Sequence, residues 1–328
     1  MNDAPGRAMA GTEGLRALRA QLQSVIVGQE ALLERLVIAV MAGGHVLLEG
    51  PPGLAKTTAV HALAAGIDAR FQRIQFTPDL MPGDLTGSEI YEPGKGGFRF
   101  VPGPVFHEIL LADEINRAPP KVQSALLEAM AEHQVTVGGH THRLPDLFLV
   151  LATQNPLEQS GTYPLPEAQL DRFLFKVVLD YPSPEEEVEI ARRARRADEG
   201  HVEAGVKALL TPHDILALRR QVNEVYIDER VERFAIDIVT GTRDVGRHRR
   251  EWAGLVQAGA SPRGSISLLR AAMARAFLEG RDHVLPEDVI ALAADVLRHR
   301  LMMDFAAQAE GVSARDVVVM LTREVPAP

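Results

Sequence analysis

Between Gly50 and Thr58 the chain reads Gly-Pro-Pro-Gly-Leu-Ala-Lys-Thr-Thr, leaving an apolar run and entering a helical one. Small residues, one lysine and adjacent hydroxyls in that order suit a turn that cups a polyphosphate, and the spacing is close to the Walker A pattern. Such a turn aims successive backbone N–H groups at phosphate oxygens and adds the positive end of a helix dipole. Lys56 then reaches the β and γ phosphates of ATP and the Thr57 hydroxyl holds Mg²⁺, with Gly50, Pro51, Pro52, Gly53, Leu54, Ala55 and Thr58 completing the cradle. Where the general pattern has glycine before the lysine, this chain has Ala55. Its methyl group penalises a positive φ, so the sequence predicts ordinary backbone there. In isolation the same residues also suit a plain strand-to-helix turn.

A second constellation, Ile109-Leu-Leu-Ala-Asp-Glu114, is an apolar run that ends in two acids. Carboxylates at the C-terminal end of a strand lie where an open α/β sheet binds its ligands. Asp113 is placed to hold the Mg²⁺ shell and Glu114 to orient and deprotonate an attacking water. An acidic pair capping a strand is the plain alternative, and it loses ground beside a phosphate loop. A third run, Leu147 to Ala152, leads into Thr153-Gln-Asn155-Pro156. If its strand neighbours the one ending at Asp113, Asn155 holds the lytic water or a γ-phosphate oxygen by a neutral hydrogen bond. A turn-forming Asn before Pro accounts for the same residues without chemistry.

The elements that must position these groups are visible as apolar periodicity. Short runs at His45 to Glu49, Phe71 to Phe76, Ile109 to Asp113, Leu147 to Ala152 and Phe173 to Leu179 read as strands. Helical spacing at Gln29 to Val40 and at Pro119 to His133 separates some of them, which predicts a parallel five-stranded sheet covered by helices. Ser88 to Tyr91 with Phe98 to Val101, and Gln134 to Val137 with His140 to Arg143, flank glycine-rich turns and read as hairpin inserts, at about 77–104 and 134–144. Residues 1–20 mix Gly, Ala, Pro and charge without a clear period and read as a flexible leader. After Tyr181-Pro-Ser-Pro184 only helices are expected, with candidates at Glu185 to Ala197, Pro212 to Asn223, Asp228 to Thr242, Arg263 to Glu279 and Pro286 to Leu297, so the domains divide as 21–181 and 182–328.

Bulk properties narrow the classes. The 328 residues, 46% hydrophobic, can bury a full core. None of them is cysteine, which excludes disulfides, thiolate metal sites and cysteine nucleophiles. A net charge of −9 disfavours nucleic acid as the main partner. Neither a membrane span nor a signal peptide is visible, so a cytoplasmic location is expected. His140 and His142 share a strand face but lack a third metal ligand, and the arginines of 192–196 read as a solvated helix face.

The order of these motifs resembles the AAA+ ATPases, and within them the MoxR family. The stretches that carry the resemblance are Gly50-Pro-Pro-Gly-Leu-Ala-Lys-Thr57, Leu110-Leu-Ala-Asp-Glu-Ile-Asn-Arg-Ala-Pro-Pro120, Ala152-Thr-Gln-Asn-Pro156, Tyr163-Pro-Leu-Pro-Glu-Ala-Gln-Leu-Asp-Arg-Phe173 and Ser261-Pro-Arg263. Ala55 in the loop is usual for the MoxR version. The resemblance implies a P-loop αβα domain followed by an all-α lid, with ATP at their junction. By matching position, Asn155 is similar to sensor 1, Arg172 to the arginine finger and Arg263 to sensor 2, while Val25 to Gln29, including Val27 and Gly28, resembles the segment that wraps adenine.

The family further implies a hexameric ring in which Arg172 acts in trans. Its output would be chaperone-like maturation or assembly of a client protein, often one with a von Willebrand factor A domain. A nucleic-acid-remodelling AAA+ motor, a nucleotide-gated binding module without hydrolysis and a magnesium-chelatase-like subunit are the competing readings. The plain alternatives for the two arginines are a structural Asp171–Arg172 pair and a surface arginine at a helix start.

Overall fold

The computed structural model describes residues 4–94, 96–155, 161–198 and 206–328. Met1 to Asp3 of the expected leader, Lys95 of the first hairpin turn and Pro156 of the third motif lie outside them. The chain begins with α1 (Ala4–Val25) and α2 (Glu30–Ala42), followed by β1 (His45–Glu49), α3 (Lys56–Gly66) and β2 (Phe71–Gln75). Next come α4 (Pro82–Thr86), the hairpin β3 (Gly87–Glu92) and β4 (Gly97–Pro102), β5 (Ile109–Asp113) and α5 (Pro120–Glu132). The hairpin β6 (Gln134–Val137) and β7 (His140–Arg143) precedes β8 (Leu149–Gln154), α6 (Glu167–Leu170), β9 (Phe173–Val178) and α7 (Pro184–Asp198).

One five-stranded sheet runs in the order β2-β5-β8-β1-β9. The β2–β5, β5–β8 and β8–β1 ladders are parallel, with Leu111 opposite Leu151 and Leu151 opposite Val46. Apolar side chains of β1, β5 and β8 are buried along almost their whole length, the pattern of strands covered on both faces. β2 is an edge strand, and its Arg73 and Gln75 are exposed. β8 runs two residues past its apolar stretch because Thr153 and Gln154 continue the pairing with Leu48 and Glu49.

The leader expectation fails for the described residues. Leu15, Leu18 and Leu22 form a buried stripe on α1, and a Cβ on Gly66 would collide with Leu18. Burying three leucines at helical spacing outweighs the helix-weakening glycines nearby. α1 therefore docks against the end of α3.

The remaining elements are α8 (Pro212–Val222), α9 (Glu229–Gly241), β10 (Val256–Ala258), α10 (Pro262–Leu278), α11 (Pro286–Leu297), β11 (Met302–Met303), α12 (Phe305–Ala309) and α13 (Ala314–Glu324). The small β10–β11 ribbon departs from the helices-only expectation, and α13 was not foreseen. Contacts divide the chain into one compact unit of Glu13–Leu165 and Val177–Leu216 and another of Met1–Thr12, Pro166–Lys176 and Ala217–Pro328. This division does not fall at the proline joint of 181–184. α7 and the chain after it stay with the first of these units: Arg193 Nη1 donates to Ser24 O of α1 at 2.7 Å, and Leu209 N donates to Gly66 O of α3 at 2.9 Å.

Candidate active site

The phosphate loop is shaped by backbone constraints that can be traced residue by residue. Gly50 follows β1 directly and donates its amide to Gln154 O at 3.3 Å. No side chain fits there, since a Cβ would lie 2.9 Å from Leu179 O. Pro51 and Pro52 restrict φ, and Gly53 takes φ 84° in open space. Ala55 sits at φ 52°, ψ 23°, which corrects the expectation of ordinary backbone. It is the N-cap of α3 and its carbonyl accepts from Ala59 N at 2.9 Å, so the turn into the helix imposes the left-handed conformation despite the methyl group. Left-handed positions within such a turn gather consecutive N–H groups into one concavity.

Lys56 opens α3 and donates from Nζ to Gly50 O at 2.7 Å, folding its own ammonium back over the loop. Burial pushes its pKa below the ordinary lysine value, while the nearby Asp113 and Glu114 charges pull the other way. Thr57 is half-buried on the first turn and Thr58 is exposed.

Asp113 closes β5. Its Oδ1 accepts from Thr153 Oγ1 at 2.6 Å, and its Oδ2 accepts from Arg73 Nη2 at 2.6 Å and Nε at 3.1 Å. Glu114 is left-handed at φ 56°, ψ 51°, and its amide donates to Thr153 Oγ1 at 2.9 Å. Its Oε2 accepts from Gln75 Nε2 at 2.8 Å and pairs with Arg117 Nε at 2.8 Å. A single buried hydroxyl, Thr153, thus ties the two acids together, while two residues of the edge strand reach one acid each. Arg73, Gln75, Arg117 and Thr153 were missed in the sequence. Arg73 and Gln75 carry the only available signal, two polar side chains two positions apart on one face of β2.

Other expected residues find these places. Asn155 directly follows β8, and β8 does neighbour β5, so the adjacency required for its expected role is present. Gly28 has φ 68°, and a Cβ there would meet Glu186 Oε1 at 2.7 Å. It sits between the half-buried Val27 and Gln29, whose Nε2 donates to Asp180 O at 3.1 Å. Arg172 and Arg263 belong to the other compact unit. Arg172 is half-buried after α6; the adjacent Asp171 accepts from Arg300 Nε at 2.8 Å and Ser261 Oγ at 3.1 Å. Arg263 is exposed at the second position of α10, with its amide donating to Ser261 Oγ at 3.2 Å. His142 stacks on Phe100 with 3.9 Å between centroids, and no cluster of three potential metal ligands from His, Cys, Asp and Glu occurs among the described residues.

The donor set suits a magnesium nucleotide. The loop supplies a lysine, and its concavity has free space at Gly53; Thr57 and Asp113 supply the hard oxygens that magnesium prefers. A second carboxylate, Glu114, stands beside Asp113 and near Lys56.

Comparison with known proteins places the family and the fold. The model of the ATPase family associated with various cellular activities (AAA) matches residues 45–175, and that of the AAA lid domain matches residues 253–319. "Chaperone MoxR1" of Mycobacterium tuberculosis is 45% identical over 312 residues, covering 94% of this chain and 81% of the relative. "Protein MoxR" of Paracoccus denitrificans is 35% identical over 302 residues and 88% of either chain. The crystal structure of a Cytophaga hutchinsonii protein, titled as an inferred ATPase, superposes with a TM-score of 0.92 at 45% identity, over 99% of this chain and 98% of that one.

Proposed function

The chain belongs to the MoxR family of AAA+ ATPases, and from that premise we propose that it hydrolyses ATP to remodel or mature a partner protein. The observation that carries the hydrolytic reading is the pairing of a phosphate loop after β1 with Asp113 and Glu114 after β5, joined through Thr153. Bound Mg-ATP would supply a γ-phosphoryl group poised for transfer to water, with charge spread over its oxygens.

The chain's own residues have separable tasks in this reading. Lys56 leaves Gly50 O to neutralise phosphate oxygens, and the loop amides replace water around them. Thr57 and Asp113 would hold the metal. Glu114 accepts the proton of the attacking water at a carboxylate oxygen, and Asn155 orients that water by a neutral hydrogen bond. Val27 and Gly28 line the base. Arg263 acts as sensor 2 and Arg172 as an arginine finger reaching a neighbouring subunit of a hexameric ring, where guanidinium offsets developing negative charge.

The chaperone name of the mycobacterial relative supports a protein client, and the family resemblance points to one with a von Willebrand factor A domain. No helix of the described residues is long and apolar enough to cross a membrane, which is compatible with a cytoplasmic setting. The reading is tested by phosphate release and nucleotide binding in two variants. Lys56→Ala should lose binding or turnover, whereas Glu114→Gln should retain ATP and stop hydrolysing it. Parental turnover in Glu114→Gln would overturn the assignment of the base. Affinity capture on the ATP-loaded Glu114→Gln protein then identifies the client.

A further inference from the structure

We propose that Arg73 is an internal counter-cation that occupies Asp113 and must yield it when a divalent ion binds, setting the metal concentration at which the site loads. The inference rests on the reading of Asp113 as a metal-holding residue. It starts from the edge strand β2, where Arg73 and Gln75 are two residues apart and share a face. From that face Arg73 directs both Nη2, at 2.6 Å, and Nε, at 3.1 Å, to the same oxygen of Asp113. The other carboxylate oxygen accepts from Thr153 at 2.6 Å. Both oxygens are therefore engaged, and the charge that would attract a metal is already balanced.

A dication drawn to Asp113 Oδ2 would meet a guanidinium within hydrogen-bonding distance of that oxygen, so the two compete by like-charge repulsion as well as for the same lone pairs. The exchange is feasible because the Arg73 side chain is half exposed, at 50%, and can swing into water, whereas Asp113, at 17%, is held by Thr153. Arg73 Nη2 also donates to Gln75 Oε1 at 3.2 Å, and Gln75 holds Glu114. Release of Arg73 thus removes one of the bonds that fix the glutamine on the second acid, so metal loading and loosening of Glu114 share one side chain. A purely structural arginine would support β2 against β5 without altering metal dependence.

The test is a magnesium titration of the binding of a fluorescent, non-hydrolysable ATP analogue to the full chain, repeated with Mn²⁺ binding followed by electron paramagnetic resonance. Arg73→Gln should lower the half-saturating metal concentration by roughly two- to fivefold, the range expected for losing an exposed ion pair. Arg73→Lys, which keeps the charge without the planar fork, should fall between parent and Arg73→Gln. Unchanged or raised metal demand in a folded Arg73→Gln protein overturns the proposal. Asp113→Asn should raise the half-saturating metal concentration well above the parent's, with Thr57 left as the remaining protein ligand. If it instead retains the parental dependence, the metal reading of Asp113 is what has failed, and the proposal falls with it.

Discussion

Ala55 holds a left-handed conformation, at φ 52°, that an L-residue with a Cβ adopts only at a cost of about 1–2 kcal/mol. The cost is borne because the residue is both the last of the loop and the cap of α3. Ala55→Gly should therefore stabilise the nucleotide-free protein by about 1 kcal/mol, relief of the left-handed strain exceeding the added chain entropy of glycine. Urea unfolding monitored without nucleotide measures it, and a loss of stability would show that the loop is not strained at this residue. Lys56, Thr57, Asp113 and Glu114 were legible in the sequence because a phosphate loop and an apolar strand ending in acids are local patterns. Thr153, Arg73, Gln75 and Arg117 were not, because their roles come from strand adjacency: Thr153 meets Asp113 only because β8 lies beside β5. The left-handed Ala55 was misread for a related reason, since the geometry of the following helix overrides a side-chain preference.

Among the elements, α11 shows how a buried charge can be made to hold a helix start. Asp288 is fully buried at the third position of α11. Its Oδ1 accepts from Arg281 Nη2 at 2.6 Å, and its Oδ2 from Arg281 Nη1 at 2.7 Å and Leu285 N at 2.9 Å; Arg275 also pairs with it. Burial pushes this carboxyl up, but the bonds from Arg281, the Leu285 amide and Arg275 outweigh it and leave the pKa below the ordinary value. Asp288→Ala removes the buried carboxylate that Arg281 and Arg275 share and should cost about 3–5 kcal/mol in chemical denaturation. Because the folded value is depressed, the stabilisation is present above the unfolded carboxylate value of about 3.9 and is lost as pH falls through the lower folded one. The parent should thus lose more stability than the variant between pH 4 and pH 2; parallel acid dependence in both would contradict the assignment. The sequence revealed α11 with its full bounds, and the two hairpins nearly so, since apolar spacing and glycine turns mark them directly. It concealed α1 and α13. The first has its Leu15, Leu18 and Leu22 stripe diluted by Gly, Ala and Arg, and the second has a Ser313-to-Asp316 capping box that was not read as a helix start.

At the scale of the whole molecule, the question is whether one chain carries a complete site. Arg172 is the residue on which this turns, because the adjacent Asp171 is fixed by Arg300 and Ser261 and so defines where the segment presents its guanidinium. Arg300 itself is almost fully buried, with a side-chain exposure of 1%, and further donates to Phe173 O at 2.7 Å, so the backbone on both sides of Arg172 is anchored. If Arg172 is the finger proposed above, serving the next subunit, turnover is a property of an interface. Arg172→Ala alone should then lose up to ~10³-fold or more in turnover, by the scale of arginine fingers supplied in trans. Lys56→Ala alone should be inactive for a different reason, its own site being unable to take nucleotide. Mixed in equal amounts, the two proteins form head-to-tail interfaces at random, and roughly a quarter of them pair an intact Lys56 loop with an intact Arg172 neighbour. Phosphate release from the mixture should therefore rise well above that of either variant and should depend on total protein concentration as rings assemble. A finger acting within its own chain leaves every subunit of the mixture defective, so absence of rescue at every mixing ratio would assign Arg172 to its own site.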